Sequence, residues 1–142
     1  MVGNMARIIC IDYGGKRTGL AVTDPLQIIA TALDTIETKF FIPYLKNYCS
    51  KEQVELFLIG EPLNLDGSAT HATPLVHKAI AALQKNFPSI PVETIDERYS
   101  SKMAVSAMIE MGMKKKDRRV KGNIDQIAAV MLLQEYLERK GY

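Results

Sequence analysis

Ala6-Arg7-Ile8-Ile9-Cys10-Ile11-Asp12-Tyr13-Gly14-Gly15-Lys16-Arg17-Thr18-Gly19-Leu20-Ala21-Val22-Thr23 holds two short apolar runs joined by a glycine turn. The first, Ala6 to Ile11, is too short for a helix and runs into Asp12 just ahead of Gly14 and Gly15, which predicts a buried strand closed by Asp12. Thr18 to Thr23 alternates and is rich in β-branched residues, with Asp24-Pro25 to stop it, so it reads as the returning strand. Ile28 to Ile36 supplies a third extended segment. Three strands linked by short turns predict an antiparallel meander.

Outward from this hairpin the period changes. Phe41, Tyr44, Leu45 and Tyr48 recur at helical spacing, which predicts a helix over Thr38 to Lys51 with Pro43 in its first turn. Leu56 to Ile59 is a continuous apolar strand ending in Gly60, and Asp66-Gly67 marks a turn. A second helix is expected from Thr70 or Thr73 to Phe87, a fifth strand from Pro91 to Asp96, a helix over Ser101 to Met111, and a strongly periodic one over Ile124 to Glu138. This order predicts an α/β fold: a mixed five-stranded sheet, antiparallel through strands 1–3 and parallel for strands 4 and 5, flanked by helices.

With 142 residues, 47% of them hydrophobic and 24% charged, the chain matches one ordinary globular domain and needs no disulfide or metal to hold it. Cys10 and Cys49 lie far apart with no CxxC, which predicts a reduced, cytoplasmic protein. No apolar stretch approaches the roughly 20 residues of a membrane helix, so no membrane partner is expected. The net charge of +2 conceals a cluster, since Lys114 to Lys121 carries six basic residues against Asp117 and leaves the remainder mildly acidic. Such a run is either a solvated face or a loop that grips phosphates, and it directly precedes the helix bearing Asp125.

In open α/β sheets functional groups collect beyond the carboxyl ends of the parallel strands. Asp12 falls there on strand 1, and Asp96 and Glu97 fall there on strand 5. Asp125 is expected in the first turn of the last helix, with Asn123 as its N-cap, and the small Ala128 and Ala129 would let that turn approach the sheet. Singly, each acid has a structural explanation: Asp12 as a turn residue, Asp125 as a helix-start residue, and the Asp96-Glu97 pair as a strand end facing Arg98. Convergence of three acids on one edge favours chemistry instead. Carboxylates without intervening bases repel unless hard cations fill the gap, and Mg²⁺ or Mn²⁺ suits an all-oxygen donor set. Two such ions can drive hydrolysis of a phosphodiester.

Other chemistries find no support in the sequence, which has no GxSxG, GxxxxGK[ST] or GxGxxG. His71 and His77 stand six apart, about 600° of helical rotation, and do not share a face as zinc ligands would. The glycine hairpin is ambiguous, because closely spaced glycines admit a phosphate to backbone amides and Lys16 and Arg17 add charge.

In chain order, Asp12-x-Gly14-x-Lys16-Arg17-x-Gly19-x-Ala21, then Gly60-x-Pro62 with Gly67-Ser68, then Asp96-Glu97-Arg98-x-Ser100-Ser101, then Asp125-x-x-Ala128-Ala129 with Leu132-Leu133-Gln134 resemble the motifs of the YqgF (RuvX) family. The resemblance runs over nearly the whole chain from Met5. It implies a ribonuclease H-like nuclease domain over 5–142, with 1–4 as an extension, in a bacterial cytoplasmic protein. The implied activity is processing of the 5′ end of pre-16S ribosomal RNA, with a ribosomal precursor particle as partner. Resolution of Holliday junctions in branched DNA is the alternative. Whether the protein acts as a monomer or a homodimer is left open.

By the same resemblance, the catalytic acids are Asp12, one of Asp96 and Glu97, and Asp125. Adjacent strand residues face opposite ways, so only one of the pair should reach the metals, and Glu97 is preferred. Asp12, Glu97 and Asp125 are the expected metal ligands, and Lys16, Arg17, Arg98, Lys115, Arg118 and Arg119 the expected substrate contacts. Glu61, in Gly60-x-Pro62, stands where an aliphatic residue is expected. It is either a lineage variant or a fourth acid. Two rival classes share features of the pattern. Actin-like ATPases and sugar kinases also begin a phosphate hairpin with Asp-x-Gly but need two copies of the fold, and a non-catalytic RNA- or ribosome-binding module could retain it.

Overall fold

The computed structural model describes residues 6–61, 73–96 and 121–139, with side chains from 126 onward in the last segment. In chain order these form β1 (Arg7–Tyr13), β2 (Arg17–Thr23), β3 (Ala30–Glu37), a single 3₁₀ turn (Thr38–Phe40), α1 (Phe41–Lys51), β4 (Val54–Glu61), α2 (Thr73–Asn86), β5 (Val92–Asp96) and α3 (Lys121–Arg139). The strands lie side by side as β3-β2-β1-β4-β5. β2 pairs antiparallel with both β1 and β3, while β4 pairs parallel with both β1 and β5. The chain thus forms the mixed five-stranded sheet expected of its pattern.

β1 sits in the middle because its apolar run is unbroken on both faces. Ile8, Ile9, Cys10 and Ile11 are each exposed by 2% or less. Ile9 and Ile11, with Leu20, Phe57 and Ile59, pack under α1 and α2 through Phe41, Leu45, Val76 and Leu83. Ile8 and Cys10, with Ala21, Leu58 and Ile95, pack under α3 through Ala129, Leu133 and Leu137. Near the far end of α3, Tyr136 donates to the Glu93 carboxylate at 3.3 and 3.4 Å, setting that end at the amino end of β5. Position 125 lies 11 residues earlier, roughly 16 Å back along the helix. Pro43 and Pro74 fall in the first turns of α1 and α2, as expected.

Several boundaries differ from the sequence expectation by one to three residues, among them β4, which spans Val54–Glu61, and α1, which begins at Phe41 after the 3₁₀ turn; three others trace to named residues. Asp12 does not close β1 but pairs with Gly19 inside the ladder, and Tyr13 is the last strand residue, because the turn glycines begin only at Gly14. β3 begins at Ala30 rather than Ile28. The Asp24 carboxylate accepts the backbone N–H groups of Leu26, Ile28 and Ile29 at 3.2, 2.8 and 2.8 Å, taking donors that a strand would need, and Gln27 sits at φ 59°. These bonds, that from Ile29 foremost, hold the Asp24 carboxyl below the usual range. Ile28 and Ile29 are left exposed at 57% and 59%. Finally, α3 starts at Lys121 with no acidic residue in its first turn. Asn123 therefore lies inside the helix rather than capping it, and Asp125 occupies the second turn, since a cap preference of about 1 kcal/mol yields easily to packing of a long apolar face. The expected helix over Ser101 to Met111 lies outside the described residues. Neither Cys10 nor Cys49 forms a disulfide, and among the described residues no helix is long and apolar enough to cross a membrane.

Ala129 is fully buried between α3 and the layer of Cys10 and Ala21, so its size sets how closely α3 approaches the sheet. Ala129→Leu should destabilise the protein by about 1–3 kcal/mol through overpacking. Urea denaturation measures this, and an unchanged midpoint would show that the helix is not held by close contact there.

Candidate active site

β1, β4 and β5 run parallel, and β3 runs in the same sense through two antiparallel steps, so all four end at one edge of the sheet. That edge gathers Asp12 near the end of β1, Glu37 at the end of β3, Glu61 at the end of β4 and Asp96 at the end of β5. The edge is shared, but the two faces divide these acids.

Asp12 alternates with Ile11 and shares the α3 face with Cys10. Its antiparallel partner is Gly19, and the parallel register that matches Ile11 with Ile59 brings Gly60 beside it on the other flank. Neither neighbour on that row has a side chain. Arg17, two residues before Gly19 on β2, shares this face. In α3, positions 125, 128, 129 and 132 follow one helical stripe, and Ala128, Ala129 and Leu132 on it are buried by 98% or more. The Asp125 side chain itself lies outside the described residues.

Glu61 and Asp96 are register partners across β4 and β5 and belong to the opposite face. Glu61 follows Ile59 and Phe57 by alternation, and its Oε2 lies 3.2 Å from His77 Nε2 on α2. Asp96 alternates with Ile95, which packs under α3. The structure thus places Asp12, Arg17 and the α3 stripe on one face of the sheet, and on the other Asp96 beside Glu61, which meets His77. Glu97, Arg98, His71, the Pro62 and Gly67-Ser68 motif, and Lys115, Arg118 and Arg119 lie outside the described residues. Among the described residues no group of three metal-ligating side chains is drawn together, as two of the three expected ligands fall outside them.

The β1–β2 turn is tightly built. A Cβ on Gly14 would run into the backbone carbonyl of Arg17, so this position requires glycine. Thr38, which follows β3, ties the turn down: its Oγ1 donates to the Gly14 carbonyl at 2.6 Å and its N–H donates to the Lys16 carbonyl at 2.9 Å. A hydroxyl has one proton, so the fully buried Thr18 must donate in the 2.9 Å contact between the two threonines. Sequence reasoning did not mark Thr38, and it weighed His77 only as a zinc ligand with His71 and not as a partner of Glu61, because a lone threonine after a strand or a helical histidine carries no local signal of its distant partner. Neither cysteine is poised as a nucleophile: Cys10 is fully buried, and burial pushes the Cys49 thiol up.

Against known proteins, residues 6–139 match the RuvX family, described as Holliday junction resolvase. The chain is 47% identical over 136 residues to the Flavobacterium psychrophilum protein named "Putative pre-16S rRNA nuclease", covering 96% of this chain and 99% of that one. It is 44% identical to a protein of the same name from Bacteroides thetaiotaomicron, covering 97% and 100%. Among solved structures, T. thermophilus RuvC in complex with Holliday junction substrate matches with a TM-score of 0.58, covering 96% of each chain at 14% identity. That likeness establishes the fold as ribonuclease H-like.

The division between faces makes Glu61 a test. Glu61→Gln should leave phosphodiester cleavage within about threefold of the unmodified protein, since the sheet separates it from Asp12. A loss of about 100-fold in a steady-state assay would place it with the catalytic acids after all.

Proposed function

Because the chain belongs to the RuvX family, we propose that it is a metal-dependent nuclease that processes the 5′ end of pre-16S ribosomal RNA in the cytoplasm. The observation that carries this reading is Asp12: an acid held at the carboxyl edge of a strand whose apolar run is buried, flanked by glycines, on the face covered by the helix bearing Asp125. Relatives named for this substrate match end to end at more than 40% identity. The family description and the RuvC fold favour branched DNA as the second reading.

The donor chemistry fits a hard divalent cation. Asp12 offers an oxygen ligand on a fixed strand, and oxygen ligands suit Mg²⁺ or Mn²⁺. Asp12, Glu97 and Asp125 would hold the ions. When bound, such a pair activates a water for attack on phosphorus and stabilises the leaving oxygen. Since Asp96 belongs to the α2 face, Glu97 is the better member of the acidic pair for this set. Arg17, on the face of Asp12, and Lys16, at the turn, would take up phosphate charge, as would Arg98, which follows Glu97 in sequence. A single cut in a precursor RNA, free or within a ribosomal precursor particle, needs one copy of the chain, whereas symmetric nicking of a junction needs a two-fold pair.

Asp12→Asn and Asp125→Asn each remove charge but little volume, so each should abolish nearly all cleavage while circular dichroism and the melting temperature stay near those of the unmodified protein. Activity that survives both substitutions, or persists in excess chelator, would sink the two-ion reading. Side-by-side cleavage of pre-16S RNA and a four-way DNA junction in Mg²⁺ or Mn²⁺ should favour the RNA, and paired symmetric nicks in the junction would reverse that ordering.

The basic run should contribute to phosphate binding. Replacing Lys115, Arg118 and Arg119 with alanine should weaken binding similarly across sequences and flatten the log-log salt slope by about two to three units, at roughly 0.7 to 0.9 per phosphate contact. An unchanged slope with unchanged affinity would assign the run to solvent.

A further inference from the structure

Beside the β1–β2 turn lies an open cleft of about 310 Å³, lined by Gly15, Lys16, Glu37 and Lys39. It is a built feature, because the Thr38 bonds to Gly14 and Lys16 fix the end of β3 against the turn. The next residue, Phe40, is 51% exposed, whereas its neighbour Phe41 is 3% exposed and packs edge-on against Tyr13 at 5.1 Å. Burial of Phe41 and the 3₁₀ turn together hold Phe40 outward. The Lys39 ammonium lies 5.2 Å from the centre of the Phe40 ring. α1 begins here with no side-chain cap and no acid in its first turn, which adds positive potential at the same corner. Two lysines, an uncapped helix start and an outward aromatic ring are the parts of a single-strand site, in which cations track phosphates and a ring takes a base.

The position suits a substrate path. Gly14 follows Asp12 by two residues and Gly15 by three, so the Gly15 end of the cleft is within about 11 Å of chain from the proposed catalytic acid and at the same edge of the sheet. Glu37 is the one opposing charge among the described residues of its lining. It pairs with Lys39 at 3.7 Å, with both groups mostly exposed, and such a pair yields readily to a phosphate.

We propose that this cleft binds an unpaired nucleotide of the RNA strand flanking the scissile bond, with Lys16 and Lys39 on its phosphate and Phe40 stacked on its base. This rests on the RNA nuclease reading but is tested by binding alone. Fluorescence anisotropy without divalent metal, on an RNA duplex with a single-stranded tail and on the same duplex blunt-ended, should show a preference for the tail. Phe40→Ala and Phe40→Leu should each weaken tailed binding by roughly tenfold and leave blunt binding unchanged, while Phe40→Trp retains the preference. Glu37→Gln should tighten tailed binding, as it removes the one repulsive charge. Equal binding of the two duplexes by the unmodified protein, or a tail preference that survives Phe40→Ala, would overturn the proposal, as would equal losses on both duplexes. A tail preference lost in Phe40→Ala, in a protein that cleaves no RNA, would uphold this site and refute the nuclease reading instead.

Discussion

The structure depends on one strand being covered on both faces. β1 carries four consecutive residues with almost no exposure, and helices pack over it from both sides. Along such a strand an ionised group is prohibitively costly until the covering layers end. Asp12 stands at that limit, still in the ladder but at the sheet's carboxyl edge. A carboxylate there has a backbone fixed by pairing with β2, opposite a glycine. Rigid placement is what an oxygen ligand for a hard cation requires.

The same alternation that buries β1 divides the acids of the edge. Two carboxylates adjacent in space across β4 and β5, Glu61 and Asp96, share a face with each other and with His77, but not with Asp12. Proximity along the edge is therefore a poor guide to which acids cooperate, because a one-residue step moves a side chain through the sheet. Glu61 illustrates this: its position at the end of the strand beside β1 invites a reading as a fourth ligand, yet its contact is with α2.

What the sequence revealed and what it hid follow the range of the interactions concerned. The five strands and three of the helices were legible because each is a local period of apolar residues, and the mixed sheet followed from their order. The start of β3 was not, because the Asp24 carboxylate diverts three backbone donors into a loop, a choice between two local structures that an apolar pattern does not register. The start of α3 was not legible either, because Asn123 carries a local capping signal that the long apolar face of the helix overrides. At the site, Asp12 was legible from its place after a buried run. Thr38 and the His77 contact to Glu61 were not, since each depends on a partner at least 16 residues away.

Thr38 also explains why the hairpin and the start of α1 act as one unit. A glycine turn alone would be the most pliable part of the edge, since Gly14 is chosen for clearance and Gly15 has little packed against it. Three hydrogen bonds at one residue convert it into a fixed corner: Thr38 reaches two carbonyls of the turn, and Thr18, two places further on in β2, closes the set. The corner joins β1, which bears Asp12, to the segment that bears Lys39 and Phe40. On the proposed reading, the groups that would attract phosphate and the acid that would work beside it are then held at a constant separation by backbone rather than by flexible side chains. Such an arrangement would lower the ordering cost of binding an extended strand, because the protein would contribute a preformed track and only the nucleic acid would have to be ordered.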